Sequence, residues 1–234
     1  MYSLSDLIDG SIAGELQNLN IQTLDKSAIT PNGLKQFIAV LNAGLTDLHK
    51  RFMLKKASVQ LSLQEDVRLY TLTSLKAESK GYANPYIKDS VELPFTDNVM
   101  EVLAVYKGKD EIRLGAKGGI YLSTPQTLYL DFVPTEGTLL DVVYKANHAR
   151  VPSDADLDTQ VLIPPSHVQA LYYYIGARIM TAQTTGLATI EGRAFHEGSH
   201  YMKLYEQECQ RLSDLGIDAE SNNVVSLFTQ RGFI

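Results

Sequence analysis

The hydrophobic period of this chain changes twice, and those two changes limit its fold more than any other feature. From Leu34, apolar residues recur at helical spacing through Phe37, Ile38, Leu41, Leu45, Leu48 and Phe52. Past Ala57 the period drops to two, with Val59, Leu61 and Leu63 alternating against polar residues. Near residue 164 the helical period returns, carried by Val168, Leu171, Tyr172, Ile175, Ile179 and Ala182. A helix puts residues three and four apart on one face and a strand every second residue, so a pattern written for one does not serve the other. A helix, then many strands, then helices specifies an α+β chain.

Local signals sharpen this outline. Thr30 suits the cap of the first helix and Pro31 its first position. That helix ends in a basic cluster, His49, Lys50, Arg51, Lys55 and Lys56. Compensation of the helix dipole explains the cluster most simply; contact with DNA or an acidic partner is the other reading. SVQLSLQ and VRLYTLT, separated by QED, read as a hairpin. Further strand candidates are VELPF, VMEVLAVYKG, EIRLG, GIYLS, TLYLDFV and TLLDVVYKANHA, with KGKD, AKGG and PTEGT as turns. Pro164, Pro165 and Ser166 open the next helix and Gly186 suits its C-cap. A last helix from about Thr189 to Leu215 presents Ala194, Tyr201, Leu204, Tyr205, Glu208 and Leu212, with Gly216 closing it. The short link predicts an antiparallel pair.

The predicted organisation is a single domain over 1–234. A helical platform comprises 30–55 and 164–216, with one helix near 30–53 and the antiparallel pair near 165–215. A β-rich insertion occupies 57–150. Residues 1–25 read as an N-terminal arm, because Gly10 and Gly14 interrupt the weak stripe Leu4, Leu7, Ile8, Ile12, Leu16. Residues 217–234 read as a docking tail: Val224, Val225, Leu227, Phe228, Phe233 and Ile234 are too apolar to be left in water.

Composition removes several function classes. The net charge of −6 supplies no global basic field for gripping nucleic acid. No apolar run nears the roughly 20 residues that span a bilayer, so no membrane partner is expected. MYSLSDLIDGSIAGELQNL has no basic start followed by an apolar run, so it does not read as a signal peptide. The one cysteine, Cys209, excludes an intrachain disulfide and suits a reducing compartment.

One motif suggests chemistry. HEGSH, from His196 to His200, matches the H-E-x-x-H of zinc peptidases, in which two imidazoles one turn apart bind the metal and Glu197 would serve as base. Against it stand Gly192 and Gly198, which weaken the helix, and the lack of a well-placed third ligand downstream. A solvated helix face is the preferred reading. An intracellular zinc metallopeptidase using His196, Glu197 and His200 is the alternative. SDADLDTQ fails as a calcium loop, since Thr159 and Pro165 stand where Gly and Glu are required; it reads as a polar connection into a strand at VLI. LGAKGGIY lacks the ending of a phosphate loop and reads as a hairpin turn. Cys209 reads as a small buried hydrophobe. No metal or other cofactor is expected.

Tyr172, Tyr173 and Tyr174 point three ways around one helix, with Arg178 a turn beyond Tyr174. Either this helix is buried on most sides within its own chain, or Tyr173, Tyr174 and Arg178 face another subunit.

Three stretches together resemble the head-to-tail adaptor proteins of tailed bacteriophages, also called connector, neck or head-completion proteins. They are LKQFIAVLNAGLTDLHKRFMLKKASVQL, LIPPSHVQALYYYIGARIMTA and HYMKLYEQECQRLSDLGI. The resemblance implies a non-enzymatic structural protein of the virion neck, between capsid and tail, assembled in the host cytoplasm. It implies a ring of copies, usually twelve, below the portal protein and above tail or nozzle proteins. Genomic DNA would pass through such a ring without sequence-specific contact, and the C-terminal tail would dock on the portal.

Overall fold

The computed structural model describes residues 1–13, 29–185 and 193–216, with side chains described over 1–11, 29–180 and 198–216. In chain order the elements are β1 (Tyr2–Ser3), α1 (Leu4–Ala13), α2 (Pro31–Arg51), β2 (Lys56–Ser62), β3 (Leu69–Thr71), β4 (Ile87–Lys88), β5 (Val99–Lys107), β6 (Asp110–Ile112), β7 (Ile120–Thr124), β8 (Thr127–Leu130), β9 (Leu139–Ala146), β10 (Gln160–Val161), α3 (Val168–Thr185) and α4 (Arg193–Asp214). Short 3-10 turns cover Ser74–Lys76, Glu78–Lys80 and Pro165–His167. This is the α+β order that the two period changes predict. Its residues cluster into two compact units, a helical one from Met1–Leu54 and the chain from His148 on, and a β unit spanning Lys55–Asn147.

In the helical unit, α2 begins as its sequence dictates. The Thr30 hydroxyl accepts a hydrogen bond from the Gly33 N–H at 3.0 Å, and Pro31 follows in the first turn. Phe37, Ile38, Leu41, Leu45 and Leu48 form its buried stripe. Gly44 allows α3 to come close: a Cβ there would lie 2.8 Å from Leu171 Cδ1 and 2.9 Å from Tyr174 Cδ1. Helix α3 is buried on most sides, with Val168, Ala170, Leu171, Tyr174, Ile175, Ala177, Ile179 and Met180 all buried. Helix α4 packs against it through Tyr205, Cys209 and Leu212. The chain leaves α4 at Gly216, whose φ of +62° is the left-handed conformation that glycine adopts without strain. Gly186 and Thr189, expected at the link between α3 and α4, lie outside the described residues.

The N-terminal segment differs from the expected arm. Leu4 and Leu7 are fully buried in the same core as α2, α3 and α4. The start of α1 is locked by a reciprocal cap: Ser3 N–H donates to the Asp6 carboxylate at 2.9 Å, and Asp6 N–H donates to Ser3 Oγ at 3.0 Å. The cap holds the Asp6 carboxyl below its usual range. β1 pairs with β10, so the polar connection SDADLDTQ does lead into a strand. Gly10 is used as well, since a Cβ there would collide with the Tyr172 hydroxyl.

The β unit contains a five-stranded antiparallel sheet in the order β4-β2-β9-β5-β6 and a three-stranded one in the order β3-β8-β7. Val59, Leu61, Leu63, Val102, Val105, Leu140 and Val142 belong to one buried core, separate from that of the helices. The hairpin expected around QED does not form. β2 pairs with β9 from Lys56↔Lys145 to Ser62↔Leu139, whereas β3 pairs with β8 in the other sheet. Alternation writes a strand but not its partner. Likewise LGAKGGIY joins strands of different sheets rather than a hairpin, with Leu114 bridging Ile120 in parallel. VELPF is not a strand; Val91 and Leu93 in it are largely exposed. KGKD does turn a hairpin, β5 to β6, with Gly108 at φ +64°.

Candidate interaction surfaces

The HEGSH stretch falls within α4, as expected. His200 is exposed and its ring lies beside that of Tyr201, at 5.9 Å between centroids. The side chains of His196 and Glu197 lie outside the described ones. Among the described residues no three His, Cys, Asp or Glu side chains converge as a metal site.

The tyrosine cluster separates by burial. Tyr174, expected at a subunit interface, belongs instead to the chain's own core. It is buried, its ring meets that of Tyr205 edge-on at 5.3 Å, and the absent Gly44 side chain makes room for it. Tyr172 packs against the N-terminal helix, and burial pushes its hydroxyl pKa up. Tyr173 is half-buried and Arg178 is exposed, so these two of the three interface candidates reach the surface. The Arg178 guanidinium lies 5.3 Å from the centre of the Tyr174 ring, which fixes a cation over an aromatic face. Arg178 also borders a shallow groove of about 570 Å³ along α4, lined by Gly198, Ser199, Met202, Lys203, Glu206 and Gln207.

Next to the groove a polar clasp joins α2 to α4. Arg51 donates to both oxygens of Glu206, at 2.6 and 2.8 Å, and to Asp47 at 2.8 Å. Its guanidinium also stands 5.0 Å from the centre of the Tyr205 ring. The Glu206 bonds hold Arg51 firmly protonated, against a smaller desolvation effect. The Tyr205 hydroxyl donates to Asp47, and burial first, then that bond, pushes its pKa far up. Sequence spacing offered Arg51 only as part of a basic cluster. In the fold Arg51 is committed to carboxylates and His49 is buried, so the two add nothing to an open basic patch. Cys209 is buried, as expected, and burial pushes its thiol up, away from nucleophilic use.

The six apolar residues proposed for docking, Val224, Val225, Leu227, Phe228, Phe233 and Ile234, lie outside the described residues. No helix among the described residues is long and apolar enough to cross a membrane. Comparison with protein-family models gives no match, and neither does comparison with curated proteins.

Proposed function

We propose that this chain is a structural subunit of a bacteriophage neck, a ring protein that continues the DNA channel between portal and tail. The observation that carries the reading is the joining of the stretches that bear the resemblance. They cover 34–61 and, with most of the β unit between, 162 onward, yet the three helices they contain, α2, α3 and α4, share one core. The helical parts of the adaptor-like pattern therefore belong to one core, which supports the reading.

In this reading the partners are copies of the chain, the portal and tail or nozzle proteins, and the C-terminal apolar segment docks on the portal. Deleting residues 222–234 is expected to leave a folded protein, by circular dichroism, that no longer binds portal in a pull-down. Unchanged portal binding by that truncation sinks the docking role. Electron microscopy of the chain mixed with portal should show a ring of about twelve copies, the usual symmetry implied by the resemblance. Stoichiometric zinc in the purified protein, lost in His196→Ala, would favour the peptidase alternative instead.

A further inference from the structure

The loop between β4 and β5 holds three side chains out in water on a fastened base. The Asp89 carboxylate accepts from the Ser79 N–H at 2.8 Å, the Ser79 hydroxyl at 2.5 Å and the Phe95 N–H at 2.8 Å. Phe95 is buried, with its ring edge-on to that of Tyr144. Between these anchors the Leu93 N–H donates to Ser90 Oγ at 3.1 Å, which tightens the turn. Val91 and Leu93 are 82% and 81% exposed, more than any other large apolar side chain among the described residues. Glu92 between them is exposed and forms no ion pair with a described residue. Two apolar groups on an ordered tip gain by leaving water and lose little freedom on docking.

A matching surface exists on the helical unit. The groove along α4 is walled by Met202 and by Gly198, which has no side chain, and its volume of about 570 Å³ is in the range that takes a drug-sized group. Arg178 and Lys203 also line it. The acid in that lining, Glu206, spends both oxygens on Arg51. Neither Arg178 nor Lys203 is ion-paired among the described residues. The groove thus offers an apolar wall with two unmatched cations, and the tip offers two apolar groups around one unmatched carboxylate.

We propose that the Val91–Leu93 tip of one copy docks in the α4 groove of a second copy, with Glu92 set against Arg178 and Lys203. Tip and groove are different surfaces, so the contact is head-to-tail and leaves a free tip and a free groove on every open chain of copies. Three side chains bury far less than the roughly 1,200 Å² of a standard stable interface, so one such contact is weak and a closed ring of them is strong. The contact supplies a joint for the ring proposed above and rests on that reading only for the number of copies.

Trapping between copies tests it. The native Cys209 is buried and stays out of the reaction. Full-length Val91→Cys protein, mixed at high concentration with size-tagged Met202→Cys protein under mild oxidation, should form the mixed disulfide at least about tenfold faster than Val133→Cys protein does. Val133 is a similarly open position, 70% exposed. Glu92→Lys in the Val91→Cys protein should slow trapping about fivefold or more, and Arg178→Glu with Lys203→Glu in the other protein should restore it. A rate no greater than that of the Val133→Cys control overturns the proposal, and so does a rate indifferent to Glu92→Lys. If the doubly reversed protein does not fold, the Glu92→Lys comparison decides alone. Deleting residues 222–234 from both proteins should leave trapping unchanged; its loss would assign the groove to the apolar tail and overturn the proposal. No portal is present in these mixtures, so failed trapping with intact portal binding removes this contact and leaves the neck reading standing.

Discussion

Arg51 reaches Glu206 across 155 positions of the chain, and Asn42 reaches Val151 across 109. In the β unit the carboxylate of Asp89 reaches only Ser79, ten positions away, and Phe95, six away. The contrast has a physical cause. Helices satisfy their backbone groups internally, so nothing in the backbone says which helix should lie beside which. In the helical unit that choice rests on apolar fit and a few long-range side-chain bonds. A sheet does the reverse: its ladder joins Lys56 to Lys145 through the backbone, so a side-chain bond such as Gln60 to Asp141 adds to a pairing already made, and other side chains shape turns. Asp97, at φ +53°, performs such a task by accepting from both the backbone and the hydroxyl of Ser74.

This difference can be broken from either side. The largest effect is expected from Tyr205→Ala, which empties a fully buried ring site and cuts the Asp47 bond. A loss of about 3–5 kcal/mol in urea unfolding, followed by helical circular dichroism, is the expected size for a buried aromatic. A loss below about 1 kcal/mol would mean that apolar fit does not govern this unit. Asp89→Ala should cost less, about 1–3 kcal/mol, because it leaves two backbone donors and one hydroxyl to water or to nothing. Partial burial works against the Asp89 charge, but the bonds from Ser79 and Phe95 prevail and hold its pKa below the ordinary range. Its contribution is therefore present above about pH 4 and lost as pH falls through the depressed folded value. The acid limb of a stability profile should flatten in the variant. Arg51→Lys should have the smallest effect, under about 1 kcal/mol, because the pair is partly exposed and a lysine keeps the charge but not the two-pronged bond. Added salt should narrow the gap between it and the unmodified protein.

The sequence made the helical elements readable and the sheet elements only half so. Thr30, Pro31 and the stripe from Phe37 to Leu48 contain the whole case for α2, because a helix is decided within a few residues of itself. The strands β2 and β3 were equally legible as strands, but their partners lie far along the chain, and no local pattern names them. The N-terminal helix was underrated because its two glycines outweighed a signal that was present, Ser3 followed by Asp6. Among the candidate site residues, Arg178 and Tyr173 reach the surface, while Tyr174 does not; three consecutive tyrosines on a helix announce three directions without saying which faces the core. The contacts of His148 with Asn42 and Thr46, about a hundred residues away, had no motif at all.

The Tyr86 hydroxyl bears on how this protein behaves in a crowd. It accepts from the Thr71 N–H at 3.0 Å and donates to the Thr71 carbonyl at 2.8 Å. These are the outward backbone groups of Thr71 on β3, at one margin of the three-stranded sheet. At the opposite margin, Ile120 donates to Arg113 and accepts from Gly115. A stray extended peptide seeking to lengthen this sheet would find both positions already taken. At Thr71 the phenol occupies the backbone groups through which a further strand would have to pair.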